Sequence, residues 1–290
     1  MKKLMFAVAA VAAGVALADV TSANIVGYQN LSNDGCESPS IGATFVPLSG
    51  ESTYKLGELK GIETDPDNDV LQLLDPDTTD TLNTFGYCSP EAAAMAEKIA
   101  KVEPGTYAAW IGWWEVTDGF DPSDDDLRAD DVDINVGQGF LGLMADDIQF
   151  TSSGEAPQEP VEIATDGCES PYIANMIPRE IKLGWIKGTD TDPDNDVFQL
   201  LDPDTTDTLA TYGYCSPEAA AMAEKIAKVE PGTYDAWIGW WEVTDGFDPS
   251  DDDLRADDVD VPAGQAFLGL MADDVIYAFP SALYNGEDAE

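Results

Sequence analysis

A chain of 290 residues with 57 acidic and 13 basic side chains carries a formal charge of −44, so it repels phosphate backbones and anionic membranes and is not expected to bind nucleic acid. Its hydrophobic fraction of 44% is that of a globular protein and not of a disordered acidic tail. It contains no histidine, which removes Ser-His-Asp and Cys-His nucleophile systems and every zinc site that needs imidazole.

The N-terminus reads as a secretion signal over residues 1–18. Lys2 and Lys3 give the charged start, Leu4 to Leu17 the apolar run, and Ala16-Leu17-Ala18 the small-x-small cleavage site before Asp19. The run is too short for a membrane span, and no other stretch approaches about 18 uninterrupted apolar residues. The expected location is therefore secreted, extracellular or cell-envelope, without a membrane-spanning segment.

Asp19 to Asn30 reads as a first strand. Beyond it the chain is dominated by a duplication: Glu63–Asp147 returns as Asp190–Asp274 at an offset of 127, with nine differences over 85 aligned positions. These are Glu63/Asp190, Leu71/Phe198, Asn83/Ala210, Phe85/Tyr212, Ala108/Asp235, Ile134/Val261, Asn135/Pro262, Val136/Ala263 and Gly139/Ala266. The domain reading is unit 1 over 19–155, a short semi-rigid linker over 156–160, and unit 2 over 161–290.

Each unit opens with a loop carrying a cysteine, Cys36 or Cys168. Thr44 to Leu48 reads as a strand of unit 1, followed by a polar turn. Unit 2 is five residues shorter here, since Cys36 to Thr64 spans 28 positions and Cys168 to Thr191 spans 23. Thr64 to Asp69 is a turn by composition, and Val70–Leu74 with Thr81–Tyr87 reads as a β-hairpin. Ser89 to Val102 is the clearest helix. Ser89 can cap it, Pro90 suits the first helical position, Glu91 complements the positive end, and Ala92, Met95, Ile99 and Val102 form an apolar stripe. Pro104-Gly105 stops it. Tyr107 to Val116 reads as an aromatic strand, Asp118 to Asp131 as an acidic loop, Val132 to Met144 as strand, glycine turn, strand, and Gln149 to Glu155 and Val275 to Phe279 as the closing segments.

The fold expected of each unit is mainly β and antiparallel, a β-sandwich or small barrel with one short helix, in two tandem near-identical repeats. The segment Asp19–Asn30, together with Gly137-Gln138-Gly139-Phe140 and its altered copy Gly264-Gln265-Ala266-Phe267, resembles exported β-rich repeat proteins of verrucomicrobia-like bacteria. That resemblance implies an envelope or surface location and brings no known active site.

Four cysteines in an exported chain suggest disulfides, with three pairings open. One pair per repeat favours Cys36–Cys88 and Cys168–Cys215; the alternative is four free thiols. The alternating carboxylates Asp65, Asp67 and Asp69, repeated as Asp192, Asp194 and Asp196, are the tentative Ca²⁺ ligands. Neither turn is an EF-hand, because position 6 is Val70 and position 12 is Pro76, and a solvated acidic turn is the favoured alternative. Trp110, Trp113 and Trp114 recur as Trp237, Trp240 and Trp241. Strand alternation sends Trp113 and Trp240 away from their neighbours, so these two are the tentative sugar-stacking residues, against core packing for the others. No nucleophile–base set is visible, so no enzyme is expected. The functional expectation is a secreted or cell-surface structural or adhesive protein whose partners are an extracellular polymer or other envelope proteins. The alternative is a carbohydrate-binding module, Ca²⁺-assisted or not.

Overall fold

A computed structural model describes residues 26–33, 35–43, 52–116, 119–284 and 286. The expected signal segment 1–18, the expected strand Thr44–Leu48 and Asp118 lie outside these residues.

The protein is mainly β. Unit 1 contains a three-stranded antiparallel sheet of β1 (Val26–Asn33), β10 (Ile148–Glu155) and β4 (Leu59–Ile62), with β10 in the middle. Its larger sheet runs β2 (Ser40–Gly42), β9 (Gly139–Leu143), β5 (Val70–Leu74), β6 (Thr81–Cys88) and β7 (Gly112–Glu115). A short ribbon pairs β3 (Thr53–Lys55) with β8 (Asp133–Asn135). The two larger sheets face each other across one core. Ile148 and Phe150 come from one side; Leu71, Phe85, Trp113 and Phe140 come from the other. This is a sandwich-like packing. Unit 2 repeats the order: β11 (Val161–Thr165), β20 (Val275–Phe279) and β14 (Lys187–Thr189) form the smaller sheet, and β13 (Ile181–Lys182) pairs with β18 (Asp260–Val261). Its larger sheet is β12 (Tyr172–Ala174), β19 (Ala266–Leu270), β15 (Val197–Leu201), β16 (Thr208–Cys215) and β17 (Gly239–Glu242).

The hairpin expected over Val70–Tyr87 is present, with Val70 opposite Gly86 and a bulge between Leu73 and Leu74. The helix spans Pro90–Ala100, with its counterpart at Pro217–Ala227. Ser89 Oγ accepts from the Ala92 amide (3.1 Å) and donates to the Thr64 carbonyl (2.8 Å), so it both caps the helix and fastens it to the turn. Such a cap contributes about 1 kcal/mol.

The aromatic strand is shorter than expected. Tyr107 to Trp110 forms turns ending in a 3-10 segment, Ala108–Trp110, and only Gly112–Glu115 is strand. Gly112 makes the change of direction, at φ +132°, where a Cβ would meet the Arg128 guanidinium. Arg128 closes this corner. It donates to the carbonyls of Ala109 (2.9 Å) and Ile111 (2.6 Å), pairs with Asp130, and lies 4.8 Å above the Trp114 ring. Its alkyl stem and charge both serve packing here.

The units meet along a seam between their larger sheets, at the edge strands β2 and β12. The Gly42 amide donates to Gly264 O (3.0 Å) and the Ala174 amide to Gly137 O (2.8 Å). Ser38 donates to Pro203 O and Ser170 to Pro76 O, each at 2.5 Å. Ile41 bridges Gln265 while Ile173 bridges Gln138. Each contact has its exact mirror between corresponding positions, as in an isologous dimer built within one chain. The fit is asymmetric in one respect: a Cβ on Gly42 would lie 2.4 Å from Ala174 Cβ, and one on Gly139 would lie 2.7 Å from Ala266 Cβ. Unit 1 supplies the glycines and unit 2 the alanines. The linker adds to the join, for Ala156 is buried and Pro157 O accepts from the Ala282 amide (2.6 Å).

Candidate functional site

Strand β7 has apolar packing on both faces, which overturns the expectation that Trp113 and Trp240 are exposed. Both are 0% exposed. Trp113 stacks on Phe150 and meets Tyr87 edge-on, and its counterpart Trp240 packs on Phe198 and donates from Nε1 to Ile186 O (2.7 Å). The opposite face carries Trp114, which packs with Cys88 and Ala93 under the helix. Trp113 and Trp114 lie on opposite faces of the strand, and the smaller sheet covers the face that alternation assigns to solvent. Neither Trp113 nor Trp240 can stack on a ligand.

The cysteines are free thiols among the described residues, not disulfides. Cys36 is exposed beside Ala145 O at the β9–β10 turn, with Sγ 3.8 Å from that oxygen. Cys88 is buried with Ala93 and Trp114 below the first turn of the helix. Cys168 and Cys215 repeat the division, one exposed and one buried. Burial pushes the Cys88 and Cys215 thiols up to about 11, so both are protonated and unreactive at neutral pH.

The acidic turns do not gather oxygens about a point. Asp69 is fully buried, and its carboxylate accepts from the amides of Asp65 (2.8 Å), Ala145 (3.0 Å) and Asp146 (3.3 Å). Asp65 Oδ1 accepts from the Asp67 amide (3.1 Å), and Asp67 Oδ1 accepts from Phe120 N (2.7 Å). Asp192, Asp194 and Asp196 repeat these bonds in unit 2. Among the described residues no three Asp, Glu or Cys side chains form a metal-ligating group. Each carboxylate accepts from at least one backbone amide: Asp69 ties the turn to the β9–β10 connection, and Asp67 ties it to the acidic loop through one oxygen. Burial raises the Asp69 pKa, with the amide bonds opposing that shift.

Of the expected apolar stripe, Ala92 is half-buried while Met95, Ile99 and Val102 lie on the surface. The helix turns Ala93 and Glu97 inward, where Glu97 Oε1 accepts from the Tyr107 amide (2.8 Å). Met95 is 60% and Ile99 76% exposed, and Val102 is also exposed. In unit 2 Met222 and Ile226 are 55% and 75% exposed. The layer beneath is already filled by Trp110, Trp114 and Tyr107, so alanines and one satisfied carboxylate fit below the helix and its bulkier side chains do not.

Beside the unit 1 stripe runs a cleft whose lining residues, Glu63 apart, recur in the sequence of unit 2. In unit 1 it is about 500 Å³ in volume and lies between the helix, the Asp65–Asp67 turn and Phe120. Pro66, Ala92, Met95, Ile99, Trp110 and Phe120 give it apolar walls; Glu63, Asp65, Asp67, Glu91 and Asp146 stand along it. Trp110 is half-buried and stacks on Tyr107 with ring centres 3.7 Å apart. A second hollow, about 580 Å³, follows the seam between Val136 and Ile163. The sequence signal for the cleft was present in the helical stripe, but its direction was not. The cleft residues combine an apolar surface with fixed negative charge. Among the described residues no helix is long and apolar enough to cross a membrane. Comparison with known proteins returned no matching family model, no matching curated protein and no matching solved structure.

Proposed function

We propose that this chain is a secreted or cell-surface protein with a structural or adhesive role, not an enzyme, and that its helix clefts are the contact points. The observation that carries this reading is the paired display of the same exposed apolar stripe, Met95 with Ile99 and Met222 with Ile226, on units joined through a seam. Two contact points on one joined body raise avidity without any new contact being made. The charge of −44 keeps such an apolar display soluble. The signal-like N-terminus and the resemblance to exported repeat proteins support the location.

Carbohydrate binding is the second reading, favoured by one observation: the half-buried Trp110, stacked on Tyr107, borders the cleft. It is the residue on which a sugar would stack, in place of Trp113. The test is retention of producing cells and of a polysaccharide panel on a surface coated with the mature protein, with fractionation of the cells to locate the chain. Adhesion predicts retention of cells that falls when Met95, Ile99, Met222 and Ile226 are all changed to Gln. A sugar module predicts polysaccharide capture that falls with Trp110→Ala and Trp237→Ala. A cytoplasmic chain, or equal retention by wild type and variants, would contradict the adhesive reading.

A further inference from the structure

Resting on that adhesive reading, we infer that each helix cleft receives a basic amphipathic peptide segment of a partner protein, one segment per unit. Met95, Ile99, Trp110 and Phe120 offer an apolar strip, and exposed apolar surface of this kind marks an interaction site. Along the helix, Ala92 to Ile99 covers about 10 Å at 1.5 Å per residue, the length over which a partner helix presents anchors two turns apart.

Charge selects among occupants. Glu63, Asp65, Asp67, Glu91 and Asp146 line the same cleft, and no Lys or Arg does. Asp65 and Asp67 each spend one oxygen on a backbone amide, which leaves the other for a cation. An apolar ligand alone would leave this rim unanswered, and an anionic lipid or acidic polymer would be repelled by it. A second copy of the chain would bring another −44 against the first, so self-association through the stripes is opposed at moderate salt. A segment with apolar residues on one side and Lys or Arg on the other answers both features. The copies agree on this surface: of the cleft residues only Glu63 differs, and its counterpart is Asp190, which keeps the charge.

The test uses the mature chain and a labelled synthetic Leu/Lys peptide of about 18 residues with leucines at helical spacing. The control replaces every leucine by serine and keeps every lysine. Binding is followed by anisotropy and titration calorimetry at about 0.15 M salt. The expected result is two equivalents of Leu/Lys peptide per chain, with the Ser/Lys peptide weaker by about tenfold or more. Met95→Gln with Ile99→Gln should remove one equivalent, and Met222→Gln with Ile226→Gln the other. These changes preserve charge and sit at exposed positions, and an unchanged Tm confirms the fold. Equal binding of both peptides, with no loss in the variants, would overturn the inference by showing only a counterion atmosphere. A variant-dependent fall in the chain's own mass in solution would overturn it in favour of a second copy. Absent peptide binding, with cell retention that still depends on the four residues, would reject this partner class and leave the adhesive reading standing. If retention is also unaffected, both fail.

Discussion

The seam and the helix cleft invite comparison, because three of the nine differences between the repeated stretches fall at the seam and only one falls in the cleft. Asn135/Pro262, Val136/Ala263 and Gly139/Ala266 fall in the turn and strand that the seam uses. In β2 and β12, Ser40 and Gly42 face Tyr172 and Ala174 as their counterparts. The cleft carries one charge-preserving change, Glu63/Asp190. A two-fold contact between identical surfaces doubles every error: two facing alanines collide, and two facing glycines leave a gap. Divergence at the seam turns a self-complementary contact into one between unlike halves. The cleft has no partner within the chain, so nothing in the fold requires its copies to diverge.

The largest effect expected comes from the cores that hold both regions. Trp113→Ala or Trp240→Ala should each lower stability by about 3–5 kcal/mol in urea melts, because each removes a fully buried indole. The shape of the melt sharpens the comparison. One shared transition for both variants means that the seam couples the units; an undisturbed second transition means that it does not.

Next comes the hub beneath the cleft. Asp69→Ala strands three backbone amides, at a cost of about 2–3 kcal/mol. Burial raises this carboxyl's folded pKa above its ordinary 3.8, so its contribution is fully present below that value and is lost as pH rises through the folded pKa. Asp69→Asn should therefore flatten stability against pH in the acid range just above 3.8, measured as Tm.

The thiols give a kinetic contrast. Without reductant, four thiols should titrate in denaturant, while in the native state at neutral pH Cys36 and Cys168 react first and Cys88 and Cys215 lag. The buried pair, with folded pKa near 11 against 9.0 unperturbed, should withdraw stability as pH climbs between those values. Peptide mapping that recovers Cys36 joined to Cys88 would restore the disulfide reading.

The smallest effect belongs to the stripe. Met95→Gln with Ile99→Gln should change stability by no more than about 0.5 kcal/mol, since both side chains are already in water. A loss of several kcal/mol would mean that the helix packs on them after all.

Local patterns carried much of the fold. The Val70–Tyr87 hairpin, the Ser89 cap and the short helix follow from alternation, turn residues and capping, all of which act within a few residues. What the sequence could not reveal depends on which surfaces are covered from elsewhere in the chain. Alternation separated Trp113 from Trp114 but could not show that β10 brings Phe150 over the face left open. Helical spacing grouped Met95 and Ile99 but could not show that Trp110 and Trp114 already fill the layer below. Asp65, Asp67 and Asp69 share a turn, yet the amides of Ala145 and Phe120 that claim two of them come from distant loops. The seam was missed because it joins the edges of two sheets, and edge status is a property of topology.

The two units are joined by a complementary seam in which glycine on one side accommodates alanine on the other. The direct test is a double-mutant cycle on Gly42 and Ala174. Gly42→Ala should destabilise by about 1–3 kcal/mol through overpacking against the Ala174 methyl. Adding Ala174→Gly should recover most of that loss, giving a coupling energy of about 1 kcal/mol or more. Additive effects, with no recovery in the double variant, would contradict the seam.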